Sequence, residues 1–141
     1  MLFRSNEDLE TLALTLQSLG VEVIRPDPLN FQVHDGLYNY CPRDRLLIAG
    51  NTVVDVSMMY PCRNQESRTL RKITEDAKIV EMPKDTGMIL DAANICRLND
   101  TWLFLESFSG NRLAYDWLCN QFPNITIELC NFYAEIGRAH V

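Results

Sequence analysis

Apolar residues near the start of the chain recur at helical spacing. Leu9, Leu12, Ala13, Leu16 and Leu19 fall on one face of an α-helix. Ser5-Asn6-Glu7-Asp8 reads as a capping box that opens this helix, and Gly20 reads as its stop. Val21-Glu22-Val23-Ile24 then predicts a short strand, ended by Pro26 and Pro28. Residues 26–43 carry three prolines and predict a loop.

Beyond the loop the pattern shortens and then repeats. Leu46-Leu47-Ile48 predicts a strand, Gly50-Asn51 a tight turn, and Thr52 to Val56 a second strand. A polar stretch from about Asn64 to Asp76 predicts a helix, and Lys78-Ile79-Val80-Glu81 a strand. The same order follows again. Ala93 to Leu98 can pair through Asn99-Asp100 with Trp102 to Leu105, a helix is expected from Asn111 to Gln121, and Ile125 to Leu129 closes the series. The first helix and strand look like the tail of an earlier copy. Repeated β-β-α-β units suggest a ring or stack about a common axis. An ordinary α+β domain with two similar hairpins satisfies the same pattern.

Composition narrows the function classes. A chain of 141 residues can build one domain with a core, and 47% hydrophobic residues is ordinary for a globular protein. No apolar run approaches the ~20 residues of a bilayer span. The opening residues lack the apolar segment of a signal peptide, so a cytoplasmic location is expected. A net charge of -6 argues against nucleic acid as a partner. The five cysteines are odd in number and contain no C-x-x-C, which predicts reduced thiols, several of them buried. His34 and His140 are the only imidazoles and lie far apart in sequence, so no metal site is expected. His34 reads as a solvated loop residue.

Two carboxylates occupy similar places in the two copies. Asp44 precedes the first strand of one, and Asp91 shortly precedes the corresponding hairpin of the next. Packed around an axis, both can face one cleft, where carboxylates suit the fork of a guanidinium group. Position alone favours the plainer reading, in which each caps a turn.

The local sequences carry more. Pro42-Arg43-Asp44, Leu46-Leu47 and Gly50 resemble the P-R-D-x-L-L-x-x-G segment of the glycine amidinotransferase family. That family includes the inosamine-phosphate amidinotransferases and those of cyanobacterial guanidinium-alkaloid pathways. Met58, Arg63 and Glu66 fit its M-x-x-x-x-R-x-x-E, and Leu90-Asp91-Ala92-Ala93-Asn94 is similar to its D-A-A motif, with Trp117 at the family spacing. The resemblance implies a pentein (α/β-propeller) of β-β-α-β units, of which this chain would hold a part in residues 1–134. It also implies transfer of an amidino group from arginine to an amine acceptor, without a cofactor, through a cysteine-bound intermediate. By matching position Asp91 is the catalytic carboxylate, while Asp44 and Arg63 are substrate-binding. The cysteine nucleophile is expected beyond this chain, which is therefore read as a fragment, inactive alone. A homodimer is one assembly open to the parent protein. Two departures stand out: Pro61-Cys62 replaces an arginine-containing stretch, and the segment from Ile73 to Met88 is shorter than in the glycine enzymes.

The last residues, 135–141, can be read as the codons GAG ATC GGA AGA GCA CAC GTC, which look like a sequencing adapter. They are expected to be a non-native tail. The family's catalytic histidine would fall close to His140, inside that tail, and the two readings exclude one another. Two other functions share the fold: an arginine deiminase or dimethylargininase-like hydrolase, and a non-catalytic pentein binding module. The P-R-D-x-L-L and L-D-A-A-N wording favours the transferases.

Overall fold

A computed structural model describes residues 2–27 and 41–131. The first element, α1 (Leu2–Ser18), ends as expected at Gly20, whose φ is +80°. Val21 N–H donates to the Leu16 carbonyl and Gly20 N–H to that of Gln17, both at 3.0 Å, the paired closure that a left-handed residue permits. The helix already runs through Ser5, so the expected capping box does not open it. Its apolar face is not buried either: Leu9, Leu12 and Leu19 are exposed. The strand expected at Val21–Ile24 does not form. Strand conformation is stabilised by pairing, and among the described residues no strand lies alongside this one.

Residues 41–131 contain the repeat. A single helical turn, α2 (Pro42–Arg45), leads into β1 (Leu46–Ala49) and β2 (Thr52–Asp55). A long 3-10 segment (Pro61–Leu70) and α3 (Arg71–Thr74) return the chain to β3 (Lys78–Glu81). A second single turn (Ala92–Asn94) leads into β4 (Ile95–Leu98) and β5 (Thr101–Glu106), followed by α4 (Arg112–Gln121) and β6 (Thr126–Asn131). In each copy the hairpin is antiparallel and the strand after the helix adds parallel to its second member. Leu46 lies opposite Asp55, and Thr52 opposite Lys78; in the second copy Ile95 lies opposite Phe104, and Thr101 opposite Thr126. The fold is therefore α+β, built of β-β-α-β units.

The two three-stranded sheets share one core. Leu47, Val54 and Val56 pack with Phe104, Trp102, Ile127 and the inner face of α4, Ala114 and Leu118. Helix α4 starts where Asn111 caps it, accepting from Ala114 N–H at 3.1 Å. The same side chain donates to the Gly87 carbonyl at 2.7 Å, so the cap also fastens the connection that precedes the second unit. Leu90 N–H donates to the Ser57 carbonyl at 2.8 Å, and Arg97 reaches back to the Ile48 carbonyl at 2.6 Å. These contacts join the units at the entrance of β4 and near the hairpin turns.

Candidate functional site

Each unit places an aspartate in the single helical turn that precedes its first strand. Asp44 lies within α2, and Asp91 caps the turn Ala92–Asn94, its Oδ1 accepting from Ala93 N–H at 2.9 Å. Because Leu90 is tied to Ser57, just past the end of β2, the Asp91 turn packs against α2. The two carboxylates thus meet on one rim of the double unit, close enough for the charge of one to act on the other.

The surroundings of the two groups differ. Asp44 belongs to a cluster of charges. Arg63 Nη1 lies 3.3 Å from Asp44 Oδ2, while Arg63 Nε and Nη2 donate to the two Glu66 oxygens at 2.8 and 2.9 Å. Glu66 is fully buried and Arg63 nearly so. Beneath them Arg45, also fully buried, brings Nη2 to 2.6 Å from Asp55 Oδ1. Burial pulls the Arg45 guanidinium below its ordinary pKa, and the Asp55 and Glu66 charges oppose that shift.

Among the described residues Asp91 has no ion pair of this kind. Burial pushes its carboxyl above the ordinary carboxylate pKa; the Ala93 hydrogen bond opposes this, the Asp44 charge adds to it, and the Arg63 and Arg43 charges oppose it. A carboxylate held up by desolvation and by a like charge gains most from a cation placed beside it. The turn that follows β5 supports it from behind: Asp91 N–H donates to the Ser109 carbonyl at 2.6 Å. At Gly110 a Cβ would stand 2.6 Å from Asn94 Nδ2 and 3.2 Å from the Leu105 carbonyl oxygen, so glycine allows that turn to close on the Asp91 loop.

Of the residues singled out in the sequence, Asp44, Asp91 and Arg63 come together. His140 and the tail 135–141 lie outside the described residues, as do His34 and most of the proline-rich loop. All five cysteines are free; Cys41, Cys62, Cys119 and Cys130 are half-buried and Cys96 is exposed, where several buried thiols were expected. Cys41 also borders the site: the Asp44 N–H donates to its carbonyl at 3.1 Å. Burial, and then the Asp44 charge, raise the pKa of its thiol. Arg45 and Asp55 were missed. The available signal was an aspartate closing the otherwise apolar strand Val53-Val54-Asp55, a place where a buried charge needs a partner.

No family model matches the chain. Among curated proteins it is 31% identical over 150 aligned residues to inosamine-phosphate amidinotransferase 1 of Streptomyces griseus, covering 84% of this chain and 43% of that protein. It is 34% identical over 92 residues to the mitochondrial glycine amidinotransferase of Gallus gallus, covering 56% of this chain and 22% of that protein. The solved structure of the Streptomyces griseus inosamine-phosphate amidinotransferase superposes with a TM-score of 0.81 at 29% identity, over 91% of this chain and 47% of that one. The N-terminal domain of a cyanobacterial arginine dihydrolase shares the fold at 15% identity, with a TM-score of 0.71 over 96% of this chain and 49% of that one. The chain thus spans less than half the length of the relatives it matches. Over that span it is similar in sequence and in fold to the glycine amidinotransferase family, and its fold is part of a pentein.

Proposed function

We propose, from a chain akin to the amidinotransferases in sequence and fold, that residues 1–134 form the guanidinium-binding part of an enzyme that moves an amidino group from arginine to an amine. The observation that carries the reading is the meeting of Asp44 and Asp91 on one rim, the second held in a state that a neighbouring cation stabilises. Asp44 accepts N–H donors from the substrate guanidinium. Asp91 accepts from its other edge and also steadies the positive charge on the histidine that exchanges protons.

In the proposed reaction a cysteine thiolate attacks the guanidinium carbon and forms a C–S bond. The bond from that carbon to the ornithine nitrogen breaks, and ornithine leaves with the proton supplied by the histidine. The acceptor amine then attacks the same carbon, gives up a proton, and the thiolate departs. Cys41 is a poor candidate for that thiolate, because burial and the Asp44 charge both favour its neutral thiol. The nucleophile is assigned to a part of the parent protein outside these residues. His140 is the histidine only if residues 135–141 are native, which the parent gene beyond codon 134 decides.

The test is ornithine release from arginine by the parent protein in the presence of candidate amines. Asp91→Asn should lower turnover by roughly one to two powers of ten, since a charge-assisted hydrogen bond contributes about 1.5–3 kcal/mol. Asp44→Asn should act chiefly on arginine binding. Wild-type turnover in the Asp91→Asn protein would remove Asp91 from the mechanism.

A further inference from the structure

The motif resemblance makes Arg63 a substrate-binding residue, and the geometry points to another task. We infer that Arg63, clamped by Glu66, is a positioning residue that fixes the Asp44 carboxylate for the guanidinium and does not itself touch the substrate. The inference rests on the reading that Asp44 binds guanidinium.

Arg63 and Glu66 stand three residues apart on the 3-10 segment Pro61–Leu70, where side chains at that spacing eclipse one another. The helix geometry alone therefore stacks the guanidinium on the carboxylate. The pair is bidentate, at 2.8 and 2.9 Å, and the Glu66 side chain has no exposure. A planar fork held along one edge has its orientation set. Its Nη1 then projects towards Asp44 Oδ2 at 3.3 Å. The Arg63 side chain is 7% exposed against 21% for Asp44, so an entering ligand reaches the carboxylate and not the arginine. Two further contacts hold the arrangement. Thr69 Oγ1 donates to the Glu66 carbonyl at 2.7 Å, and the Asp44 N–H donates to the Cys41 carbonyl at 3.1 Å. Arg45 pairs with Asp55 and Arg63 with Glu66, so each buried guanidinium has a carboxylate partner besides Asp44.

The experiment compares two ligands by calorimetric titration: arginine, and agmatine, which carries the same guanidinium without the carboxylate. It uses the wild-type parent protein, Arg63→Lys, Asp44→Asn and the double variant. If Arg63 positions Asp44, Arg63→Lys keeps the charge, loses the fork, and weakens both ligands by the same factor, about tenfold. That factor collapses towards one in the Asp44→Asn background. A loss confined to arginine would show that Arg63 holds the substrate carboxylate and would overturn the inference, as would an undiminished loss in the Asp44→Asn background. Should Arg63→Lys not fold, Glu66→Gln carries the same cycle. A measurement on the unaltered protein guards against both variants failing. The Arg63 Nε–H should exchange slowly with solvent in the free protein, and protection that arises only with arginine would overturn the inference. If the wild type binds neither ligand, the guanidinium-site reading itself falls, a result distinct from any of these.

Discussion

The two β-β-α-β units hold their aspartates by different physics. The first, around β1 to β3, encloses charge: Arg45, Asp55, Arg63 and Glu66 lie buried under Asp44. The second, around β4 to β6, encloses hydrocarbon: Phe104, Leu90 and Leu118 are fully buried, and Phe104 meets Tyr115 edge-on with ring centroids 5.6 Å apart. Its aspartate is held by a backbone N–H and the backbone of a neighbouring turn. One backbone pattern thus delivers two carboxylates to neighbouring turns, one oriented by an ion pair and the other without a cation of its own among the described residues. A site for a cation needs both properties, since one group must be fixed in place and the other must gain from the arrival of charge.

This contrast sets the size of the expected mutational effects. The largest belongs to the first unit. Glu66→Ala removes the bidentate carboxylate partner of the buried Arg63, and should cost about 3–5 kcal/mol in urea unfolding. In the second unit the comparable change is Leu118→Ala, which removes hydrocarbon from the core and should cost about 2–5 kcal/mol. A Glu66→Ala variant that unfolds at the wild-type urea concentration would erase the distinction between the units.

A smaller effect is expected at the turn behind Asp91. Gly110→Ala places a Cβ 2.6 Å from Asn94 Nδ2 and should cost about 1–3 kcal/mol by thermal unfolding. The smallest is Asp91→Asn. Because the folded-state pKa of Asp91 lies above its usual value of 3.8, the folded protein binds that proton more tightly than the unfolded chain. Stability is therefore lost as pH rises from 3.8 through the raised value, and the cost stays constant above it. Asparagine removes the cost and can still accept from Ala93 N–H. Asp91→Asn should melt no lower than wild type at neutral pH while losing activity, and a clear fall in melting temperature would show that the charge serves the fold.

Much of this architecture was legible in the sequence. The short apolar runs Leu46–Ile48 and Thr52–Val56 on either side of the Gly50-Asn51 turn pointed to the first hairpin, and the second followed from the same order around Asn99-Asp100. Asp44 and Asp91 were legible because they precede corresponding strands. What escaped was of another kind. Val21–Ile24 has strand composition without a strand beside it, and composition cannot show that. The helix expected from about Asn64 to Asp76 is a 3-10 segment, Pro61–Leu70, followed by the short α3, because polar composition looks the same for both helix types. The Arg45–Asp55 and Arg63–Asp44 pairs depend on which side chains meet across the fold, and single-residue patterns do not carry that.

The shared site can be tested on Asp91 itself by a carbon-13 NMR pH titration of its carboxyl, with and without saturating arginine, in wild type and in Asp44→Asn. The expected result is a raised pKa in the free protein that falls when arginine binds and falls, without ligand, when the Asp44 charge is removed. Arginine binding should accordingly weaken as pH drops through the raised value. An Asp91 pKa that neither arginine nor the Asp44→Asn change moves would contradict a common guanidinium site.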